Sequence, residues 1–230
     1  MLQKLNDFYQ DYAVLVCAGS ALPEDEKVMS LLREASCICA ADGGWDLLKR
    51  LRIRPNILLG DFDSSKDQLK EKKEWIEQNG IEFQQFPVRK NATDSELGLE
   101  TLFQKNYRRV LLLGGMGSRM DHSICNFLML RTYSILGMDV RLWTRYNRIC
   151  FLKAGQYQAP KLDSSVYSSL LTVDEGIFIG LEGFDYPLNK QRLPVGTSLG
   201  ISNHVLSPQN QIEVFAKENQ GVFYFESRDA

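Results

Sequence analysis

The first 140 residues alternate short, continuous apolar runs with segments of helical periodicity. Residues 13–18 (AVLVCA) form one run, followed by Gly19-Ser20 and a helix-like stretch over 24–35. Residues 37–41 (CICAA) form a second, followed by Asp42-Gly43-Gly44 and a helix near 46–51. Residues 57–59 end in Gly60-Asp61-Phe62-Asp63-Ser64, and 65–79 form a charged, amphipathic helix closed by Gly80. Residues 81–86 read as a strand. Thr93 and Asp94 open a helix through 103, and Thr93 and Glu96 are spaced for a capping box. The apolar run 110–113 leads into Gly114-Gly115-Met116-Gly117-Ser118-Arg119, and residues 123–136 form a helix stopped by Gly137. Continuous apolar strands alternating with helices imply buried parallel strands covered by helices on both faces.

Beyond residue 140 the helical period disappears. Runs at 148–152, 166–172, 176–181 and 212–216 are separated by turn residues, and 211–225 predict a closing hairpin around Glu218-Asn219-Gln220-Gly221. The expected architecture is therefore α/β: a Rossmann-like parallel-sheet domain over 1–140, then an antiparallel β-sandwich or barrel over 141–230. The run 140–143 can close either domain.

Composition narrows the function. With 27 basic and 29 acidic side chains the net charge is −2, which excludes a strongly basic nucleic-acid binder. No apolar run approaches the ~20 residues of a membrane helix. The N-terminus is mixed and polar and carries no secretory pattern. Five cysteines fall at irregular spacings, most of them inside apolar runs; Cys37 and Cys39 read as two small buried hydrophobes, and with only two histidines a zinc site lacks ligands at zinc-like spacing. A reduced, cytoplasmic, enzyme-sized chain is expected, with neither membrane nor nucleic acid as partner.

The candidate chemistry is positional. Four apolar runs end in Gly, Asp or both, and ligands of open parallel sheets bind beyond the carboxyl ends of strands. Asp61 and Asp63, two apart, place both carboxylates on one side of an extended segment. Such a pair suits Mg²⁺ bound jointly with substrate phosphates, the reading the spacing favours over a solvated turn that caps the next helix. Asp94 fits a helix N-terminus electrostatically. Lys90, four residues earlier, can hold a phosphate. The glycine cluster is neither a Walker A loop nor G-x-G-x-x-G. Its turn, with Gly115 and Gly117, still offers bare N–H groups to an anion, and Arg119 offers a rigid fork. Asp121 can take a proton from a hydroxyl nucleophile or help hold metal.

The series Asp42-Gly43-Gly44, Gly60-Asp61-Phe62-Asp63-Ser64, Lys90-x-x-Thr93-Asp94-x-Glu96 and Gly114-Gly115-x-Gly117-x-Arg119-x-Asp121-His122 resembles the thiamine pyrophosphokinase family. Gly200-Ile201-Ser202-Asn203 resembles that family's G-x-S-N stretch. The resemblance spans essentially the whole chain. It implies Mg²⁺-dependent transfer of a diphosphate from ATP to the thiamine hydroxyl, with release of AMP, by a homodimer with sites at the subunit interface. It implies that Asp61, Asp63 and Asp94 hold the metal and that Asp121 is nearest the attacking hydroxyl. Lys90, Thr93, Gly115, Gly117 and Arg119 would contact phosphate, Asp42 would belong to the acidic rim, and Ser202 and Asn203 would contact thiamine. Trp45, Ser118 and His204 depart from the family pattern.

Two rivals remain at this point. A haloacid-dehalogenase-like phosphatase would use Asp61 as nucleophile and Asp63 as its acid/base partner. A non-catalytic nucleotide or thiamine sensor would bind without turnover.

Overall fold

The structure is a computed structural model that describes residues 2–60, 74, 76–86 and 91–230. The chain forms two compact units. One comprises Asp11–Met129 with Trp143–Arg145; the other comprises the N-terminal segment through Gln10, Leu130–Leu142 and Tyr146–Ala230.

The first unit is built on five parallel strands in the order β6-β2-β3-β4-β5. These are β2 (Ala13–Val16), β3 (Cys37–Ala41), β4 (Ile57–Gly60), β5 (Glu82–Gln85) and β6 (Arg109–Leu113). Strands β2, β3 and β4 are buried at every position, as a sheet covered on both faces requires. Burying each Val, Leu or Ile contributes about 1.5–3 kcal/mol. The helices are α1 (Asp25–Glu34), α2 (Gly44–Arg50), α3 (Asp94–Gln104) and α4 (Met120–Ile135).

Strand order sets the site. From β2 the chain moves to β3, β4 and β5 on one side, then returns to β6 on the other side of β2. Val16 is in register with both Ala40 and Leu113, so the carboxyl ends of β2, β3 and β6 lie level. The loops leaving β2 and β6 diverge there, and such a reversal opens a crevice at the carboxyl edge.

The second unit is a β-sandwich. One sheet runs β1-β9-β13-β11-β12, and the other carries β10-β14-β8 in antiparallel order. Its strands are β1 (Gln3–Lys4), β8 (Asn147–Lys153), β9 (Gly155–Gln158), β10 (Tyr167–Leu171), β11 (Phe178–Glu182), β12 (Leu188–Arg192), β13 (Gln211–Phe215) and β14 (Gly221–Ser227); β7 spans Asp139–Trp143. The N-terminal segment belongs here because β1 pairs in parallel with β9, Gln3 opposite Tyr157. The guanidinium of Arg141 secures that segment, donating to the Leu5 carbonyl at 2.6 Å and lying 4.3 Å from the Phe8 ring centroid.

One expectation is corrected. Residues 211–225 do not form a hairpin: β13 pairs with β9 and β11, whereas β14 pairs with β8 and β10. The intervening turn changes sheets, so Ile212 and Val214 meet Val222 and Tyr224 inside one core cluster instead of edge to edge. Arg131 holds the turn by donating to the Asn219 carbonyl at 2.8 Å, and Asp174 accepts from the Gly221 N–H at 3.1 Å.

The expected helix over 65–79 and the metal loop at Asp61 and Asp63 fall mostly outside the described residues, as does Lys90. Cys17, Cys37, Cys39 and Cys150 are buried, Cys125 is exposed, and all five thiols are free. No helix among the described residues is long and apolar enough to cross a membrane.

Candidate active site

A cleft of about 590 Å³ opens at the carboxyl edge of β2, β3 and β6. Its floor is a zipper between two loops. Beyond the last strand pair, Cys17 N–H donates to Leu113 O at 2.8 Å, Gly19 N–H to Gly114 O at 2.8 Å, and Ala21 N–H to Met116 O at 3.1 Å. The two backbones approach so closely that a Cβ on Gly19 would sit 2.3 Å from the Met116 oxygen. Gly114 has φ +66° and faces the Cys17 oxygen just as tightly, so a side chain is excluded there twice over.

The acidic wall comes from strand and helix ends. Asp42 follows β3 in the left-handed region, φ +45°, which Asp tolerates better than most side chains. Its N–H donates to Leu59 O at 2.8 Å and its carbonyl accepts from Trp45 N–H at 3.1 Å, which starts α2. Asp94 begins α3. Thr93 is the cap of that helix, its hydroxyl accepting the Glu96 N–H at 3.2 Å, as the capping pattern requires. Burial, with the charge of Asp94 added, pushes the neighbouring Cys17 thiol up to about 12, which keeps it protonated.

The basic wall is Arg119. Its guanidinium forks onto Asp121, Nη2 to Oδ2 at 2.6 Å and Nε to Oδ1 at 3.2 Å. That contact, helped by the His122 backbone, lowers the Asp121 carboxyl to about 2. Gly115 and Gly117 line the cleft beside Arg119, and Ser118 is exposed there.

The cleft thus gathers Asp42, Thr93, Asp94, Gly115, Gly117 and Arg119, with Asp121 attached through Arg119. Three further polar residues line it that the sequence reading did not single out: Ser95, Ser123 and Asn126, each at least nine-tenths buried. For Ser123 and Asn126 the signal was polarity on the core-facing stripe of α4, where they precede Leu130 and Tyr133. Among the described residues no three His, Cys, Asp or Glu side chains cluster to hold a metal. The donors that are described, Asp42 and Asp94, are hard carboxylates on one cleft, and such oxygens fit Mg²⁺.

In the β unit, Ser202 lines a separate cleft of about 470 Å³ with Tyr167, Phe225 and Asp229. Ser202 has φ +58°, and its N–H donates to Ser169 Oγ at 3.0 Å. Asn203 is buried and turned inward. Its amide oxygen accepts from the N–H groups of Tyr186 and His204, both at 2.9 Å, and its amide nitrogen donates to Tyr186 O at 2.8 Å. His204 packs its ring 4.9 Å from that of Tyr167.

Comparison with known proteins bears on this arrangement. Residues 28–142 match the family described as thiamin pyrophosphokinase, catalytic domain. Residues 159–219 match thiamin pyrophosphokinase, vitamin B1 binding domain. The thiamine pyrophosphokinase of Bacillus subtilis (strain 168) is 29% identical over 177 residues, covering 76% of this chain and 81% of that protein. The crystal structure of thiamine pyrophosphokinase from Bacillus subtilis superposes with a TM-score of 0.79 at 24% identity, covering 95% of this chain and 100% of that one. Thiamin pyrophosphokinase from Candida albicans gives 0.75 at 17% identity, covering 99% and 94%. These last two likenesses speak for the fold. The matches favour neither the phosphatase nor the sensor. The chain belongs to the thiamin pyrophosphokinase family.

Proposed function

We propose that this chain transfers a diphosphate from ATP to the hydroxyl of thiamine and releases AMP. The observation that carries the reading is the meeting of Asp94 at a helix start, Arg119 and an anion-ready glycine loop on one cleft, within a chain of this family.

The thiamine oxygen attacks the β-phosphorus of ATP; the bond from that phosphorus to the oxygen it shares with the α-phosphorus breaks, and AMP leaves with that oxygen. Such transfers need positioning and charge stabilisation more than covalent help. The N–H groups around Gly115 and Gly117 and the fork of Arg119 orient the phosphates and stabilise the charge that builds on them. Asp94, with Asp61 and Asp63, would hold Mg²⁺, which supplies charge neutralisation on the phosphates when bound. Lys90 adds a positive charge and Asp42 the acidic rim. Asp121 takes the hydroxyl proton once a phosphate has drawn Arg119 away from it, because its basicity then returns.

For thiamine we infer the β unit. Ser202, beside Tyr167, Phe225 and Asp229, offers aromatic faces and a carboxylate to a cationic heterocycle. Asn203 acts by fixing Tyr186 and the loop that bears Ser202. We propose the division expected from the sequence, ATP over residues 1–140 and thiamine over 141–230; the compact units support it except that the segment through Gln10 and Leu130–Leu142 go with the β unit. We also infer a cytoplasmic homodimer with sites at its interface. Its support is the exposure of Met120 and Ile124, one turn apart on α4, at 66% and 51%.

One assay tests the reaction. Protein incubated with thiamine, ATP and Mg²⁺ is expected to yield AMP and thiamine diphosphate in equal amounts. ADP with thiamine monophosphate would overturn diphosphate transfer. Asp61→Asn and Asp63→Asn are expected to abolish turnover with circular dichroism unchanged, and retained turnover would remove them from the metal site.

A further inference from the structure

The two halves of the cleft are joined by one string of hydrogen bonds. Ser95 Oγ donates to Asn126 Oδ1 at 2.6 Å, and Asn126 Nδ2 donates to the Gly115 carbonyl at 2.5 Å. Thr93 Oγ1 and Ser95 Oγ lie 3.1 Å apart, and Thr93 Oγ1 accepts the Glu96 N–H at 3.2 Å. The direction of every proton follows from the ends. The Gly115 carbonyl can only accept, so the amide nitrogen of Asn126 faces it and the amide oxygen faces Ser95. Ser95 must give its single proton to that oxygen, so Thr93 gives its own to Ser95. The chain therefore runs one way, from the Glu96 N–H through Thr93, Ser95 and Asn126 to Gly115, and such chains strengthen cooperatively.

We propose that Asn126 is a positioning residue for the transfer: it fixes the first turn of α3, which carries Asp94, against the glycine loop that leads to Arg119. The proposal rests on the reaction assigned above. Asn126 and Ser95 are both 6% exposed, and their two hydrogen bonds tie α3 to Gly115. Ser123, one turn before Asn126, serves the same loop: it lies 3.3 Å from the Gly117 N–H and donates to the Arg119 carbonyl at 3.0 Å. One face of α4 thus holds the loop at two points, and Asn126 extends the hold to the opposite wall. A second consequence concerns Thr93. Its proton is committed to Ser95, so what α3 offers a phosphate is main-chain N–H rather than the Thr93 hydroxyl.

The test uses the full chain and steady-state kinetics. Asn126→Ala is expected to lower kcat about a hundredfold, the scale of a misplacement near 1 Å, with KM for thiamine little changed. Ser95→Ala combined with Asn126→Ala is expected to be no worse than Asn126→Ala alone, because both break one chain. Asn126→Asp supplies the signature that a packing role would not move. Its carboxylate faces the Gly115 oxygen and repels it, while the protonated acid donates to that oxygen and restores the tie. Burial favours the acid form, so the ratio of variant to wild-type kcat is expected to rise as pH falls from about 8 to about 6. A wild-type kcat in Asn126→Ala, additive losses in the double variant, or a flat ratio would each overturn the proposal. If Asn126→Ala does not fold, Ser95→Ala and Asn126→Asp carry the same comparison. If the wild type forms no AMP, the assigned reaction falls and the tie is read by calorimetry with Mg·ATP. Weakening of about tenfold in Asn126→Asp then supports it, and equal affinity overturns it.

Discussion

The guanidinium of Arg119 holds the Asp121 carboxylate through two contacts, at 2.6 and 3.2 Å. While Arg119 grips Asp121, two of its five N–H donors are engaged, and Asp121, lowered to about 2, is a poor base. Arg119→Gln is expected to move the Asp121 titration upward from about 2, toward the ordinary value of about 3.9. Carboxyl NMR reads this directly, and an unmoved titration would refute the pairing. The sign for stability follows. A depressed carboxyl contributes above its unfolded pKa and loses that contribution as pH falls through the folded value, here about 2. Both side chains are about two-thirds exposed, so solvent screening keeps the contribution small. Arg119→Lys keeps the charge but not the fork, and turnover is expected to fall about a hundredfold.

The zipper beneath the cleft leaves no room for a methyl group. Gly19→Ala would place a Cβ 2.3 Å from the Met116 oxygen and 2.4 Å from the Gly114 oxygen. Overpacking of this kind costs about 1–3 kcal/mol. In a chain of this size that lowers the melting temperature by about 2–12 °C. KM for ATP is expected to rise with it, since the same oxygens belong to the phosphate loop. Calorimetry and kinetics check both, and an unaltered protein would show that the loops separate freely.

Glu226 lies in the β unit with 9% of its side chain exposed, 3.2 Å from Arg148. Burial pushes its carboxyl up, and Arg148 offsets this only in part. A raised carboxyl favours the folded state below its unfolded pKa of about 4.3 and loses that contribution as pH rises through the folded value. Glu226→Gln is therefore expected to flatten the decline in melting temperature that wild type shows as pH rises from about 4.3. Parallel declines in both proteins would exclude Glu226 as the source.

Exposed Met120 and Ile124 make the assembly testable. Light scattering at micromolar concentration is expected to give a dimer, and Ile124→Glu to shift it toward monomer with loss of activity. A wild-type monomer that retains full turnover would remove the interface from the mechanism.

Much of this was legible in the chain. Continuous apolar runs ending in Gly or Asp marked β2, β3, β4 and β6, because a strand buried on both faces has no polar alternation to blur it. The cap at Thr93 was visible from its spacing to Glu96, and the structure holds that bond. Partner choice was not legible. Residues 211–225 contain two alternating strands and a turn, which is the local pattern of a hairpin and equally of a sandwich corner. Only the pairing of Gln211–Phe215 with β9 and β11 decides between them. Ser95 and Asn126 were hidden for a different reason. Each is unremarkable alone, and their meaning lies in a contact 31 residues apart in sequence.

The pairing of Gln3 with Tyr157 has a consequence for how the molecule is made. A ribosome adds about 5–20 residues each second, so strand β1 waits for its partner about 8–30 s after it has emerged. The stretch Asp11–Met129 is nearly a complete unit before then. Strand β1 is thus made well before the strand it pairs with and finds its place late. A bulky fusion ahead of Leu5 would act on this late docking, slowing maturation of the β unit while the parallel sheet forms on time.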